Sequence, residues 1–381
     1  MGLDLRLDFS RATTDSYREY MLKLISMIRR KEVECFVEKV VAEAKNVKPR
    51  VERRNVDSGD VFRVRAYILA PDIEATSVTG IRIPLRIVCN SAFLARESGE
   101  VELFLRLGSL ACPPLGCWNC RTFIAYAKTE LENLRGRVRV EAKSMIYPMV
   151  SMECIEDPRT DPDDSTTLYY VVGHYRYWDI NGLRVYVLTF SAKVENGEVK
   201  YVEPIVFRAP NGELFLFRDY RDTFALSRKA IVTRPWLEHF GTGVMVVAPR
   251  EGNVVDLKGL TTYPELIPTK DELKTGGNCS VKISSNEYLV LFHAVDRYFG
   301  AYYTYAAIFS EDGELLAVTP EPVISPRPRE FTGTRPATIF VNGAQLVKDT
   351  LIVSAGKDDE MLLFLETELS KVIEKMKFLK G

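Results

Sequence analysis

The stretch TLYYVVGHYRYWDINGLRVYVLTFSAKV (167–194) decides the fold class. It places two runs rich in β-branched and aromatic residues, 167–175 and 183–194, on either side of Asn181-Gly182. An Asn-Gly pair between two such runs is a strong hairpin signal, because both residues tolerate the positive φ values of a tight turn. The stretch therefore predicts two antiparallel strands.

The same pattern recurs along the chain from about residue 51. Further apolar or alternating runs occur at 61–69, 81–89, 101–107, 137–142, 213–218, 243–249, 288–295, 303–309 and 350–356. Turn signals separate many of them: Ser98-Gly99, Asn196-Gly197, Asn211-Gly212, Asp312-Gly313 and Asn342-Gly343. Many short strands without intervening helices predict an all-β sandwich, barrel or propeller, and about 310 residues suit a propeller of four-stranded blades. No exact repeat fixes the number of blades.

Helical patterns occur only near the two ends. Over 13–46, apolar residues recur three or four positions apart, Thr14 or Asp15 can cap the helix, and Pro49 ends it. The charged stretch after Arg29 suggests a break near Arg30. A second apolar stripe covers 366–380. The predicted organisation is an N-terminal helical extension (1–50), a β domain (51–366) and a short C-terminal helix (367–381).

The composition narrows the function classes. The chain has 51 Lys+Arg and 52 Asp+Glu, a net charge of −1. It lacks the basic excess that phosphate-backbone binding needs, so a dedicated nucleic-acid binder is disfavoured. No apolar run approaches the roughly 20 residues of a membrane span, and the N-terminus does not read as a signal peptide. We expect a soluble, cytoplasmic protein without a membrane partner.

Three of the seven cysteines, Cys112, Cys117 and Cys120, lie in one short segment, CPPLGCWNC. The C-x2-C spacing can hold zinc or an iron–sulfur cluster, but a complete site needs a fourth ligand, which would have to be Cys89 or Cys154. The plainer interpretation is a proline-containing loop with buried or paired thiols. We expect no metal.

Carboxylates are the most suggestive catalytic candidates. Only three histidines occur, His174, His239 and His293, and no nucleophile-elbow, Rossmann or P-loop motif appears. In MECIEDPRTDPDD (152–164), the adjacent Glu156 and Asp157 precede an arginine shortly before a predicted strand. Such an acid could be a tuned proton donor, although an acidic turn explains the same pattern.

In its context, the E-D-P-R tetrapeptide resembles the motif of glycoside hydrolase family 130, which comprises β-mannoside phosphorylases and some hydrolases. Segments that resemble the family in order are 89–108, 221–235, 246–250, 276–309, 324–333 and 351–366. The likeness covers roughly 85–366, with the cysteine loop resembling an insertion. It implies an all-β fold, a five-bladed β-propeller, to which the helical patterns at the two ends add an N-terminal helical extension and a short C-terminal helix.

The resemblance also implies roles for individual residues. Asp157 would be the catalytic acid, giving its proton to the glycosidic oxygen through a sugar hydroxyl while inorganic phosphate attacks C1 from the opposite face. The implied substrate-binding residues are Asn90, Glu156, Arg159, Arg250, Glu330 and Asp359. The implied phosphate-binding residues are Arg106, Lys229 and His293. Inorganic phosphate is a co-substrate, and no further cofactor is expected.

Three functions stay open. The first is an inverting phosphorylase that acts on a β-mannoside and yields α-mannose 1-phosphate. The second is a β-mannoside hydrolase, for which Glu330, Glu238 or Asp296 could supply the base. The third is a catalytically silent carbohydrate-binding propeller. The expected partners are a mannoside or oligosaccharide and phosphate, and the N-terminal helix could serve a homo-oligomer contact.

Overall fold

The computed structural model describes residues 5–28, 31–56, 61–109, 121–150, 153–179, 182–237, 239–326, 333 and 335–379. The protein is mostly β, with 54% strand and 12% helix, in a propeller-like arrangement. The predicted fold class is confirmed to that extent. Within the described residues, no helix is both long and apolar enough to cross a membrane.

The predicted N-terminal helix is two helices, α1 (Thr14–Ser26) and α2 (Lys31–Lys45). Thr13 caps α1 by accepting a hydrogen bond from the backbone N–H of Ser16, as short hydroxylated residues do at helix starts. The buried face of α1, which includes Tyr17 and Met21, packs into the main hydrophobic core of its own chain. The apolar side of α1 is thus used within the protomer.

The strands of the first half of the chain are β1 (Arg63–Ile68), β2 (Ile73–Thr76), β3 (Arg82–Ile83), β4 (Leu85–Ala95), β5 (Glu100–Ser109), β6 (Thr122–Glu130), β7 (Gly136–Arg137), β8 (Val140–Ile146), β9 (Cys154–Thr160), β10 (Thr167–Asp179), β11 (Gly182–Glu195), β12 (Glu198–Pro204) and β13 (Val206–Arg208). The strands of the second half are β14 (Leu214–Phe215), β15 (Tyr220–Ala225), β16 (Ala230–Leu237), β17 (Thr242–Gly243), β18 (Val246–Glu251), β19 (Val254–Asp256), β20 (Glu272–Lys282), β21 (Glu287–Asp296), β22 (Tyr302–Ser310), β23 (Leu315–Val318), β24 (Ile339–Val347), β25 (Thr350–Lys357), β26 (Met361–Glu368) and β27 (Lys377–Phe378).

These described strands form five sheets, each built on an antiparallel meander. Their orders are β4-β5-β6-β8-β2-β3, then β9-β10-β11-β12, then β15-β16-β18-β19-β13-β14 with β17 on β16, then β20-β21-β22-β23-β27, and β24-β25-β26-β1-β7. The first strands of the meanders are β4, β9, β15, β20 and β24, and we call them the inner strands.

The five sheets contact one another in a closed ring. Strand β4 contacts β9, β10 and β11 contact β15, β15 and β16 contact β20, β20 contacts β24, and β24, β25 and β26 contact β4. The early strand β1 pairs antiparallel with the late strand β26. The two ends of the β region are therefore joined in one sheet, and we call this junction the seam.

Two local predictions are wrong. Asn342-Gly343 is not a turn, because it lies inside β24 where the register with β25 shifts. The C-terminal segment is helical only over α3 (Leu369–Ile373). After α3 the chain returns to the sheet, since β27 pairs with β23, and Val372 and Met376 pack in the core.

Candidate active site

Each inner strand carries an Asn or Asp at a register shift. These residues are Asn90, Asp157, Asp222, Asn278 and Asn342. A β-bulge leaves an extra residue outside the ladder and re-aims its side chain. Three of them have positive φ, 38° at Asn90 and 51° at both Asp157 and Asp222, which Asn and Asp tolerate better than other non-glycine residues. The same device thus places short polar side chains on all five inner strands.

Asp157 lies at the centre of a partly exposed cluster. Its carboxylate accepts hydrogen bonds from Nδ2 of Asn90 at 3.0 Å and from Nη1 of Arg106 at 2.7 Å. The same guanidinium reaches Glu156 at 3.2 Å. Burial alone would lower the pKa of Arg106, but Glu156 and Asp157 hold it well above its usual range. The side chain of Asp157 is 16% exposed, so a bound molecule can reach it.

Asp222 lies in a second, fully buried cluster. Its carboxylate accepts from Nη2 of Arg159 at 2.8 Å and from Nε of Arg234 at 2.5 Å. Burial would raise the pKa of Asp222, but the basic groups around it, Arg234 first among them, together outweigh burial and hold the pKa well below its usual range. Arg159 also donates to the backbone oxygens of Asn278 and Asp157. This cluster therefore ties β9, β15, β16 and β20 together.

His293 packs beside the Asp222 cluster. Its Nδ1 lies 2.7 Å from Oδ1 of Asn278, and in this arrangement Nδ1 carries the proton because a carbonyl oxygen only accepts. Burial lowers the pKa of His293 well below its usual value, so the ring is neutral. Its Nε2 is buried without a hydrogen-bond partner among the described residues and lies 3.9 Å from the Asp222 carboxylate. Nε2 is then a free acceptor.

Cations gather around Tyr302, next to His293. The rings of His293 and Tyr302 have centroids 5.2 Å apart. Nη2 of Arg335 donates to the Tyr302 hydroxyl at 2.6 Å, and Nζ of Lys274 lies 5.4 Å from the Tyr302 ring centroid. Burial, followed by the positive charge of Arg234, lowers the pKa of Lys274 well below its usual value. The positive charges of Arg335 and Arg234 favour the binding of an anion here, and a bound anion would in turn favour the charged form of Lys274.

Asp359 completes the Asp157 side of the site. It lies in the turn between β25 and β26 with φ 54°. Burial raises its pKa, the charge of Arg106 opposes this, and the nearby carboxylates of Asp157 and Glu156 add to it. These electrostatic interactions put Asp359 near the cluster that contains Asp157, without a hydrogen bond or ion pair to it among the described residues.

Two glycines let neighbouring strands approach these side chains. A Cβ atom on Gly356 would lie 2.0 Å from Oδ1 of Asn90, and one on Gly276 would lie 2.5 Å from Oδ2 of Asp222. Neither position has room for a larger residue unless the bulge side chain moves. Glycine at these two positions therefore leaves the space that the side chains of Asn90 and Asp222 occupy.

Several predicted site residues lie elsewhere. Lys229 is in the turn between β15 and β16, 55% exposed, and pairs with Glu311 at 2.7 Å. Arg250 pairs with Asp161 at 3.0 Å and donates to the Tyr169 hydroxyl. Neither contacts the Asp157 or Asp222 clusters.

The remaining candidates divide into two groups. Glu330, Glu238, Cys112, Cys117 and Cys120 lie outside the described residues. Asp296, a candidate base, accepts from the backbone N–H of Phe299 at 2.6 Å and so supports the turn after β21. The described residues contain no group of three or more His, Cys, Asp or Glu that could hold a metal ion.

Sequence reasoning missed Asp222, Arg234, Lys274, Tyr302 and Arg335. A signal for the inner strands was nevertheless present. Asn or Asp followed by Ser, Pro, Thr, Cys or Gly occurs at the bulge of each inner strand, at Asn90-Ser91, Asp157-Pro158, Asp222-Thr223, Asn278-Cys279 and Asn342-Gly343, although such pairs also occur elsewhere, as at Asp161-Pro162 and Asp349-Thr350. The spacing of 56 to 67 residues, the differences between these positions, marks the repeat that the apolar runs did not reveal.

Comparison with known proteins agrees with the fold and the motifs. A family model described as β-1,4-mannooligosaccharide phosphorylase matches residues 124–378. The structure of β-1,2-mannobiose phosphorylase from Listeria innocua, in complex with β-1,2-mannobiose, is similar with a TM-score of 0.56 and 17% identity, covering 77% of this chain and 92% of that one. A glycosyl hydrolase from Bacteroides ovatus has a TM-score of 0.51 and 13% identity, covering 84% and 97%. No curated protein matches the chain.

A mostly β, propeller-like protein with carboxylates on its inner strands and arginines clustered around them fits the enzymes that act on glycosidic bonds. The chain belongs to glycoside hydrolase family 130, since the family model spans two thirds of it. The enzymes of this family are phosphorylases or hydrolases of mannosides. The predicted family is therefore confirmed.

Proposed function

We propose that the protein is an inverting phosphorylase that exchanges a β-mannosidic bond for the phosphate ester of α-mannose 1-phosphate. The observation that carries the proposal is the surplus of cations beside a partly exposed acid. Five basic groups, Arg106, Arg159, Arg234, Lys274 and Arg335, accompany four carboxylates, Glu156, Asp157, Asp222 and Asp359. An anionic phosphate would offset this excess of basic groups and favour the charged form of Lys274.

Asp157 acts as the general acid in the proposed reaction. A proton passes from its carboxyl, through a sugar hydroxyl, to the glycosidic oxygen as the bond from C1 to that oxygen breaks. A phosphate oxygen forms the new bond to C1 from the opposite face, which inverts the configuration. Asp157 then takes a proton back from solvent. Asn90 and Arg106 orient its carboxylate, and Glu156 and Asp359 are placed to accept hydrogen bonds from sugar hydroxyls.

The proposed phosphate site keeps His293 and replaces Lys229 by Lys274 and Arg234. Lys274 has no carboxylate within ion-pair distance among the described residues, whereas Lys229 pairs with two acids at the surface. Charge-assisted contacts from arginine and lysine suit phosphate. The neutral His293 would accept a hydrogen bond at Nε2 from the hydroxyl of monohydrogen phosphate.

The substrate class follows the family and its structural neighbours. The description of the matching family model names β-1,4-linked manno-oligosaccharides. The structure of the Listeria neighbour contains β-1,2-mannobiose. We propose a β-linked manno-oligosaccharide, and both linkages should be assayed. We also propose that the five sheets are five blades around one axis, which their closed ring of contacts supports.

Phosphate dependence tests the activity. With β-1,2- and β-1,4-mannobiose, turnover should require phosphate and release α-mannose 1-phosphate. Equal turnover in phosphate-free buffer, with free mannose as the product, would support the hydrolase instead. Binding of both sugars without turnover would support the carbohydrate-binding propeller.

A further inference from the structure

A separate cavity of about 1010 Å³ lies at the seam, and none of its lining residues belongs to the candidate active site. Its walls come from β1, the turn between β4 and β5, the turn between β24 and β25, and α3. We call it the seam groove. Six cations line it, Arg63, Arg65, Arg96, Arg135, Lys348 and Lys371, against three glutamates among the described lining residues. Arg96 is already paired with Glu102, which lies outside the lining.

Two of the three glutamates of the seam groove, Glu366 and Glu368, already form ion pairs with cations of the groove. Arg63 and Arg65 share Glu366, at 2.9 and 2.5 Å, and Lys371 pairs with Glu368 at 3.5 Å. The side chain of Arg65 is 8% exposed, and its Nε has no hydrogen-bond partner among the described residues. The side chains of Arg135 and Lys348 also make no ion pair or hydrogen bond with any described residue. Arg135 and Lys348 are therefore available to bind an anion in the groove.

We propose that the seam groove binds a phosphate-bearing small molecule with at least two negative charges, of the size of a sugar phosphate or a nucleotide. Arginine forks recognise phosphate oxygens in pairs, and lysine adds a point charge. Small-molecule sites typically enclose about 300–1,000 Å³, so the groove exceeds the need of a single inorganic ion. Its cations come from several separate elements, which a ligand with more than one charged oxygen can contact together.

Because the groove lies at the seam, a ligand bound in it should stabilise the folded protein. Arg65 belongs to β1, Lys348 to the turn before β25, and Glu366 to β26, so the ligand would contact elements that meet at the seam. A molecule that binds only the folded state stabilises it in proportion to the logarithm of its concentration over its dissociation constant. Binding should therefore raise the melting temperature. This inference is independent of the proposed reaction.

Titration with defined probes tests the proposal. ADP, glucose 6-phosphate and inorganic tripolyphosphate are each titrated into the full-length protein by calorimetry, and melting is followed in parallel. We expect binding that weakens as salt rises and a higher melting temperature. ADP and glucose 6-phosphate distinguish a nucleotide from a sugar phosphate as the preferred source of the charge.

Three variants locate the binding. Arg135→Ala/Lys348→Ala should weaken the affinity roughly 10-fold or more, since it removes two charge-assisted contacts. Arg18→Ala/Lys39→Ala removes the same two residue types from exposed positions of α1 and α2 and should leave the affinity unchanged. Lys274→Ala, in the candidate active site, should also leave it unchanged. No binding of any probe at low salt, or equal binding by the seam-groove variant, would overturn the proposal, and so would a loss of binding in Lys274→Ala alone.

Discussion

Asp157 and Asp222 occupy equivalent bulges on neighbouring inner strands, yet their surroundings differ. Both have φ 51° and both pair with arginine. The Asp157 side chain is 16% exposed and its partner Arg106 is 13% exposed. Asp222 is 5% exposed, and its partners Arg159 and Arg234 are 1% and 4% exposed.

The difference separates a carboxylate that a bound molecule can reach, as the proposed catalytic acid must be, from one that is buried among its partners. Asp222 joins two buried guanidiniums from different strands, so its loss would leave two charges buried without a partner. Such a loss is costly, because an uncompensated buried charge cannot regain its hydration. Asp157 can exchange a protein contact for a substrate contact, since its cluster opens to solvent. The same kind of bulge thus places the proposed acid on β9 and a carboxylate that joins strands on β15.

The largest expected effect is that of Asp157→Asn on turnover. The amide keeps the shape of the side chain but cannot donate the catalytic proton, so kcat should fall by roughly 10²–10⁴-fold. Unfolding in urea should change little. The measurement is phosphorolysis of β-mannobiose, with Glu156→Gln as the matched control, for which a milder loss is expected. Near wild-type turnover by Asp157→Asn would remove Asp157 from the mechanism.

Asp222→Asn should act in the opposite way, mainly on stability. It leaves Arg159 and Arg234 without their shared carboxylate, and the free energy of unfolding should fall by about 3–5 kcal/mol. Asp219→Asn is the control, because Asp219 pairs with Arg221 at 3.3 Å in a more exposed position, where an ion pair contributes about 0–1 kcal/mol. Equal effects of the two variants in urea denaturation would mean that the buried cluster does not hold the strands together.

The outer strands were predictable and most inner strands were not, for one physical reason. Outer strands such as β10 and β11 alternate or run apolar because they pack in the core. The inner strands β9, β15 and β24 carry charged residues, small residues and bulges, which interrupt the pattern that sequence analysis reads. Asn342-Gly343 shows the ambiguity, because the dipeptide that forms hairpin turns also fits a bulge.

The site was predictable only where a motif marked it. Asn90, Arg106 and Asp157 are in contact and Asp359 lies near them, whereas Lys229 lies at the surface. Lys274 lies outside the segments that resemble the family, and Arg234 lies in one of them (221–235) without an implied role. The two residues come close because the ring of sheets brings β16 and β20 together. Such contacts between distant segments leave no local pattern in the sequence.

Glu153 is another buried carboxylate and extends the comparison. Unlike Asp157 and Asp222, it accepts hydrogen bonds from uncharged groups. It accepts from the Tyr17 hydroxyl and from the backbone N–H of Met149. Burial raises its pKa from 4.5 to about 7, although the hydrogen bond from Tyr17 opposes the rise. A carboxyl whose pKa is raised by folding contributes fully to the free energy of unfolding when the pH is below its pKa in the unfolded chain, near 4.5. This contribution is lost as the pH rises through the folded-state pKa, about 7.

Glu153→Gln should therefore change the pH dependence of stability. Relative to this variant, the wild type should lose about 3 kcal/mol of unfolding free energy as the pH rises from below 4.5 to above 7. Urea denaturation at several pH values measures the difference. Glu19→Gln, which removes an exposed carboxyl from α1, is measured in parallel to subtract the effect of net charge. A difference that is flat across this window would show that Glu153 stays ionised in the folded protein.

The smallest expected effect distinguishes the two lysines. Lys274→Ala should raise the KM for phosphate roughly 10-fold, the loss of one charge-assisted contact, while Lys229→Ala should leave it unchanged.

Because burial and Arg234 lower the pKa of Lys274, its charge is gained as the pH falls. The ratio of KM in Lys274→Ala to KM in the wild type should therefore rise toward low pH, and taking the ratio cancels the titration of free phosphate. If Lys229→Ala raises the KM and Lys274→Ala does not, the phosphate lies near the β15–β16 turn, and the cations around Tyr302 serve the sugar instead.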